Sequence, residues 1–557
     1  MTLLDVRNLQ VAYRNPSSDE PTLAVDGVSF KVDRGETLGI VGESGCGKST
    51  LARALMAYCR PGGTITGGEV LFGGKDILEF SDEQIRELRG SRMAMVPQDP
   101  LTSLTYHMKV GSQIDEILRI HQKLDARAAR VSTLKLFDGT NLPTPEKIYD
   151  RYPHENSGGQ RQRIVIAGAL ACEPDLLILD EPTTALDTTT EMQVLKLVKE
   201  LRDRLGTALV YITHDLTLTD YMCENVLIMR GGKVMERGNA SRIFSAPQTD
   251  YGKMLVSAIP RVDADIAETT PTPEEKAIEP LLMVDHLSFR YAQRWSIDAL
   301  FNPQEEQLAV DNVSFELKCG ETLGLVGESG SGKTTVANVV VGLLAPTGGV
   351  VTFDGAPLNM TDKYRSAELR RRIQIVFQDP LSSLNPRRRI ESILTRPLQI
   401  FFGMKGRAAR DRAVELLEDV ELSADLLNRF PRQLSGGQQQ RVAIARAFAA
   451  QPDLILCDEV TSALDVSVQA QVLVLLKGIQ RKSGAACLFI SHDLGVVKQV
   501  ADETVVLQKG QIVEAGPTRT VFGNPSHDYT RLLLAAASRR EDYADLAPPV
   551  PIAGVPS

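Results

Sequence analysis

Two stretches of this sequence carry residues arranged to hold a polyphosphate: residues 42–49, GESGCGKS, and residues 327–334, GESGSGKT. Gly42, Gly45 and Gly47, with their counterparts Gly327, Gly330 and Gly332, let the chain curl so that backbone N–H groups point at phosphate oxygens. Ser44, Cys46, Ser329 and Ser331 belong to the same curls. Lys48 and Lys333 reach the outer phosphates of a nucleoside triphosphate, and Ser49 and Thr334 supply the hydroxyl that ligates Mg²⁺. Thr50 and Thr335 follow, in a helix whose positive end faces the anion. Each stretch follows an apolar run and precedes a helical pattern, as this motif requires. A chance glycine-rich turn would not repeat that context twice.

Acidic pairs supply the second part of a hydrolytic site. Asp180 follows the run LLIL and Asp458 follows LILC. A carboxylate at the end of a buried strand can hold Mg²⁺, directly or through water. The next residue, Glu181 or Glu459, is placed to polarise an attacking water. The bland alternative, an acidic pair capping a strand edge, loses force beside two phosphate cradles.

These groups need strands that end close together. Residues 38–41, 176–179 and 208–213 are short apolar runs suited to buried parallel strands. Residues 25–32 alternate apolar and polar, as a half-buried strand does. Between Gln98 and Ser157 the pattern is mostly helical. The prediction is an α/β core carrying an inserted helical subdomain, written twice. The cradles recur at an offset of 285 residues, VPQDPLTSL and VFQDPLSSL at 280, and the SGGQ, acidic and histidine blocks at 278. Five ordered blocks with nearly constant offset define two domains, expected at 1–260 and 281–540. Residues 261–280, rich in Pro, Thr and acids, read as a flexible linker, and 541–557 as a disordered tail.

Composition narrows the partners. A net charge of −9 argues against nucleic acid. The seven cysteines are scattered without a CxxC pair, which fits a reducing compartment and no zinc site. The N-terminus carries no basic-then-apolar signal, and no run approaches the ~18 to 20 apolar residues of a membrane span. Any membrane role is expected through partner subunits.

The turns Ser157-Gly158-Gly159-Gln160 and Ser435-Gly436-Gly437-Gln438, each upstream of an acidic strand, resemble the signature of ATP-binding-cassette proteins. The resemblance covers nearly the whole chain. It implies two tandem P-loop NTPase domains, each a RecA-like α/β core with an antiparallel β subdomain and a helical insertion. It also implies roles. Tyr13 and Tyr291 match the aromatic that stacks on adenine, with a core or surface aromatic as the alternative. Gln98 and Gln378 match the glutamine that touches metal and water and senses the membrane partner. Leu186-Asp187 and Leu464-Asp465, each after an alanine (Ala185, Ala463), match the loop that crosses between halves, and His214 and His492 the histidine on the γ-phosphate. In such proteins the SGGQ turn grips the nucleotide of the opposite half, so the fused halves are expected to act as an intramolecular pseudo-dimer with two composite sites.

Finer details resemble the peptide/nickel importer group. The tails SAPQTDYGKMLVSAIP (245–260) and GNPSHDYTRLLLAAAS (523–538) are similar to the P-H-x-Y-T-x-x-L-L extension of dipeptide and oligopeptide ATPases. The first copy departs, with Gln248 and Gly252 in place of His and Thr. The resemblance implies an importer motor on the cytoplasmic membrane face, serving two permeases and an extracytoplasmic solute-binding protein. Peptide, nickel chelate and glutathione remain open as cargo. A soluble cassette protein acting on ribosomes or DNA, and an exporter motor, are the competing classes. No iron–sulfur cluster is expected, because residues 261–280 lack cysteine. Three further points await the structure. Asn156 stands where the second signature has Leu434, either weakening one site or merely packing; Cys46 is either reactive or buried; and residues 387–389, read as helical and basic, either meet lipid or a partner or face solvent.

Overall fold

The computed structural model describes residues 1–14, 21–183, 186–259, 279–291, 308–358, 365–462 and 464–538. Residues 261–278 of the linker, all of the 541–557 tail, and Ala185 and Ala463 of the crossing loops lie outside them.

In the first half, β1 (Thr2–Tyr13), β2 (Thr22–Asp33), β4 (Gly63–Phe72) and β5 (Lys75–Asp76) form an antiparallel sheet in the order β2-β1-β4-β5. Val28, Phe30 and Val32 alternate inward along β2, as their spacing predicts, and a bulge turns Val25 inward as well. A second sheet runs β10-β9-β3-β8-β7-β6, from β3 (Thr37–Val41), β6 (Met93–Val96), β7 (Leu176–Asp180), β8 (Ala208–Thr213), β9 (Asn225–Arg230) and β10 (Lys233–Asn239). Its strands are parallel apart from the β9–β10 pair. Every residue of β3, β7 and β8 is buried, so both faces of this sheet are covered. One face packs on the antiparallel sheet through Val11, Val25, Ile40 and Leu51; the other packs on helices through Leu179, Tyr211, Ile166 and Leu195. Each such side chain contributes about 1.5–3 kcal/mol on burial.

The second half repeats the plan. β12 (Val310–Leu317), β11 (Leu282–Phe289), β14 (Gly348–Phe353) and β15 (Ala356–Pro357) form the antiparallel sheet in that order. The other sheet runs β16 (Ile373–Val376), β17 (Leu454–Asp458), β18 (Ala486–Ser491), β13 (Thr322–Val326), β19 (Glu503–Gln508) and β20 (Gln511–Pro517). Between β6 and β7, and between β16 and β17, the chain makes the expected helical insertion. No helix among the described residues is long and apolar enough to cross a membrane.

One expectation fails locally. Residues 387–389 form a turn before the helix Ile390–Phe402, not part of a helix. The Asn385-Pro386 pair explains it. The Asn385 side-chain oxygen accepts from the Arg387 N–H at 3.0 Å, giving the backbone a local alternative to helix. Arg389 lies over the Phe430 ring, 5.4 Å from its centroid, and donates to the Asn428 carbonyl.

The halves meet along a seam. The tail helix Asp528–Ser538 of the second half packs on the helix Thr188–Leu205 of the first, where Ala535 and Ala536 join the first half's core. The first half's tail helix, Asp250–Ser257, meets the helix Val466–Ser483 in the reciprocal way.

Candidate functional site

Four parallel strands of each half end at one sheet edge and deliver one functional group apiece. β3 runs into the cradle at Gly42, β6 leads to Gln98, β7 ends in Asp180 and β8 leads to His214. β13, β16, β17 and β18 do the same for Gly327, Gln378, Asp458 and His492. The carboxyl edge of an open α/β sheet is where such folds bind ligands.

The cradles are held tightly. Gly47 has φ 107° and a Cβ there would sit 2.1 Å from the Ala24 carbonyl oxygen; Gly332, at φ 106°, would place one 2.5 Å from that of Ala309. Both contacts are with backbone, so no other residue fits. The Lys48 ammonium donates to the Gly42 and Glu43 carbonyls at 2.6 and 3.0 Å; Lys333 donates to those of Gly327 and Glu328 at 2.7 and 2.8 Å. Both lysines are buried, and burial pushes the Lys333 ammonium below its usual range. The cradle helices, Lys48–Leu55 and Lys333–Val341, have no side-chain cap, leaving their first N–H groups for an anion.

The acidic pairs behave as two different groups. Ser49 Oγ donates to Asp180 Oδ1 at 2.8 Å, and Thr334 Oγ1 to Asp458 Oδ1 at 3.2 Å. Burial raises the Asp180 carboxyl, and burial with the adjacent Glu459 charge pushes Asp458 up to about 6. Asp180 Oδ2 is buried with no hydrogen-bond donor on it, and the Arg53 guanidinium stands 3.8 Å away. Such a site suits a hard cation with oxygen ligands, and Ser49, Asp180 and Gln98 offer only oxygens to one, as do Thr334, Asp458 and Gln378. Glu181 and Glu459 take the left-handed backbone conformation, at φ 49° and 48°. Such strain persists where the surroundings over-determine it. Here the Glu181 N–H is tied to the Ile212 carbonyl at 2.8 Å and that of Glu459 to Ile490 at 3.0 Å. The Gln98 amide donates to Glu181 Oε2 at 2.9 Å and Gln378 to Glu459 Oε2 at 2.7 Å. His214 Nδ1 and His492 Nδ1 stand 3.3 Å from the same carboxylates. Burial alone would lower both histidines; the hydrogen bond and charge of the glutamate outweigh it and raise them.

The first signature turn faces the cradle of the other half across the seam. Ser157 and Ser435 cap the helices Gly158–Leu170 and Gly436–Phe448 with a reciprocal capping box to Gln160 and Gln438. Ser157, Gly158, Gly159 and Gln160 line one cleft of about 410 Å³ with Glu328 and Ser329 of the other half's cradle. From the opposite side, Asp465 Oδ1 accepts from the Ser44 N–H at 2.8 Å. Asp187 instead caps its own helix through the Thr190 N–H at 2.9 Å. Thr188 Oγ1 donates across the seam to the His492 carbonyl at 3.2 Å.

The remaining candidates are more scattered. The exposed Tyr291 places its hydroxyl 3.1 Å from that of Thr335, beside the second cradle; Tyr13 packs on its own subdomain with its ring against Gly63. Cys46 is buried and burial pushes its thiol up, which suits the inert reading. Asn156 points back into its own half, donating to the Tyr152 carbonyl at 2.8 Å, while Leu434 enters the second core. Because Asn156 Oδ1 is buried without a partner, Asn156→Leu should stabilise the chain by about 1 kcal/mol and leave turnover within about twofold. Thermal melting and phosphate release check this; a turnover change of tenfold would return Asn156 to the site.

Local spacing did not reveal three pairs of residues that converge here. They are Glu43 and Glu328 inside the cradles, Ser467 and Thr189 opposite them, and the tail tyrosines Tyr251 and Tyr529. The repeated GES of both cradles and the tyrosine of both tails were the available signals.

The family model "ABC transporter" matches residues 25–184 and 310–462, and "Oligopeptide/dipeptide transporter, C-terminal region" matches 235–284 and 513–552. The chain is 42% identical over 560 residues to a glutathione import ATP-binding protein, GsiA, of Pectobacterium atrosepticum, covering 96% of this chain and 89% of that one. The protein of the same name from Escherichia coli K12 is 41% identical over 559 residues, with the same coverage. A solved dimeric ATP-binding cassette in a post-hydrolysis state with ADP and phosphate covers 43% of this chain and 99% of its own, at 25% identity and TM-score 0.39.

Proposed function

The chain belongs to the ABC transporter family, as an importer ATPase with two ATP-binding domains, and from that premise we propose that it drives uptake of short peptides, glutathione foremost among them. The observation that carries the proposal is the peptide-transporter C-terminal region following each cassette, in a chain 41–42% identical over nearly its whole length to glutathione import ATP-binding proteins. Glutathione is itself a small peptide, so tail and relatives point to one chemical class.

ATP is hydrolysed, on this reading, at two shared sites. One joins Lys48, Ser49, Gln98, Asp180, Glu181 and His214 with Ser435 and Gly437. The other joins Lys333, Thr334, Gln378, Asp458, Glu459 and His492 with Ser157 and Gly159, and the cleft these last two share with Glu328 and Ser329 supports it. The lysines and cradle N–H groups bind the triphosphate. Ser49, Gln98 and Asp180, or Thr334, Gln378 and Asp458, would hold Mg²⁺, which when bound neutralises charge on the phosphoryl oxygens. Glu181 and Glu459 orient a water and accept its proton; the glutamine and histidine beside each fix the carboxylate. ATP grips both halves at once, so it favours the closed seam, and cleavage removes that preference. The opening and closing would move two permease subunits at the cytoplasmic membrane face, with a solute-binding protein delivering cargo outside.

Proteoliposomes containing the chain and its permeases, with the binding protein added, test the cargo. ATP-dependent accumulation of labelled glutathione or of a dipeptide is expected. Accumulation of a nickel chelate alone would move the assignment to metal uptake.

A further inference from the structure

We propose that each tail helix is a strap that couples closure of the seam to the shape of a phosphate cradle, with Tyr251 and Tyr529 as positioning residues acting through Glu43 and Glu328. The proposal rests on the reading of shared sites above and adds a role for the tail, which that reading leaves idle.

One residue in each cradle is held from three directions. The Glu328 carbonyl accepts from Lys333 at 2.8 Å, its N–H donates to the Tyr529 hydroxyl at 3.1 Å, and its carboxylate meets the Thr189 hydroxyl of the other half, whose single proton it shares with Asp187 Oδ1 at 2.7 Å. Glu43 repeats the set. Its carbonyl accepts from Lys48 at 3.0 Å, its N–H donates to the Tyr251 hydroxyl at 3.4 Å, and its carboxylate accepts from Ser467 Oγ of the other half at 3.0 Å. The lysine, the tail and the opposite half therefore act on the same residue. Both tyrosines are buried, at 5% and 6% exposure, and burial pushes the Tyr251 phenol up to about 12 and Tyr529 up as well. Each phenol keeps its proton at neutral pH.

The contacts close a ring. From Glu328 the path runs through Tyr529 into the tail helix. The helix rests on Thr188–Leu205 of the other half, with Ala535 and Ala536 in that half's core and Leu532 against it. That helix begins beside Thr189, whose hydroxyl returns to Glu328. Two arms of the ring cross the seam. Opening the seam breaks both and frees the cradle residue from one of its restraints.

The tail sequence serves to place the tyrosine. Glu514 accepts from the N–H groups of Ser526 and His527 at 2.8 and 3.2 Å, and His527 Nδ1 accepts from the Tyr529 N–H at 3.1 Å. In the first copy Glu236 accepts from the N–H groups of Gln248 and Thr249 at 2.8 and 3.0 Å, and Arg230 covers the Tyr251 ring at 4.8 Å. The structure thus sets Thr249, and not Gln248, opposite His527, and both copies hold the approach to the tyrosine by the same pair of N–H bonds.

Tyr251→Phe and Tyr529→Phe test this in the full chain, because phenylalanine keeps the ring and loses the hydroxyl. Hydrogen–deuterium exchange of the nucleotide-free protein should quicken several-fold at residues 327–333 in Tyr529→Phe and at 42–48 in Tyr251→Phe, with the melting temperature nearly unchanged. The double variant should show an ATP KM raised about fivefold with kcat within twofold. Thr189→Val with Ser467→Ala should raise KM similarly, and all four changes together should do little more than either pair, because both arms hold one residue. Unchanged exchange and KM in the phenylalanine variants, or effects that multiply, would overturn the strap. Ser157→Ala with Ser435→Ala separates the two ideas. If that variant slows turnover and the phenylalanine variants do nothing, the strap alone fails; if the serine variant also does nothing, the shared-site reading has failed.

Discussion

The chain carrying both Glu181→Gln and Glu459→Gln should bind ATP and retain it, with phosphate release reduced by about 10²–10⁴-fold. Glutamine preserves the size of the side chain and removes its basicity. Each glutamate is fixed from several sides. Its backbone is held at positive φ, its N–H is tied to the neighbouring strand, and its carboxylate meets a glutamine amide and a histidine ring. Burial would push Glu459 up, yet the His492 hydrogen bond and charge bring it below its usual range, so it is ionised at neutral pH. Gel filtration after incubation with labelled ATP, beside a phosphate-release assay, checks both halves of the expectation. Undiminished turnover would remove these glutamates from the role of general base.

Lys48→Ala and Lys333→Ala should each abolish tight nucleotide binding at one site, lowering affinity there by about 10²-fold or more. Each ammonium is buried, and its two hydrogen bonds hold the cradle carbonyls at positions 42 and 43 or 327 and 328. Hydrogen bonds from a charged group are worth about 1.5–3 kcal/mol each, so losing both unbinds the loop as well as the phosphate. Titration with a fluorescent ATP analogue reads the loss as one site of two. If one substitution had no effect, the two sites would be inequivalent, a difference to which Asp187 and Asp465 already point by their different partners.

The cradles and acidic pairs were legible because their chemistry demands fixed local spacing, and the glutamines only through the family resemblance. Lys48 must lie six residues past Gly42 for its ammonium to fold back on that carbonyl. The parallel core was legible in the apolar runs that became β3, β7 and β8. Contacts between distant segments were not. Tyr251 meets a residue 208 positions away and Ser467 one 424 positions away, and no periodicity links such pairs. The tail tyrosine was visible as a family marker without its partner. Residues 387–389 are not helical because the Asn-Pro turn signal before them outweighs their arginine-rich composition.

The most direct measurement compares two doubly substituted chains in the Glu181→Gln, Glu459→Gln background and counts nucleotides retained per chain. With sites shared across the seam, Lys48→Ala plus Ser435→Ala damages one site twice and leaves one nucleotide bound, whereas Lys48→Ala plus Ser157→Ala damages both sites and leaves none. The reverse pattern, one nucleotide in the second chain and none in the first, would mean that each half encloses its own ATP and would contradict the account.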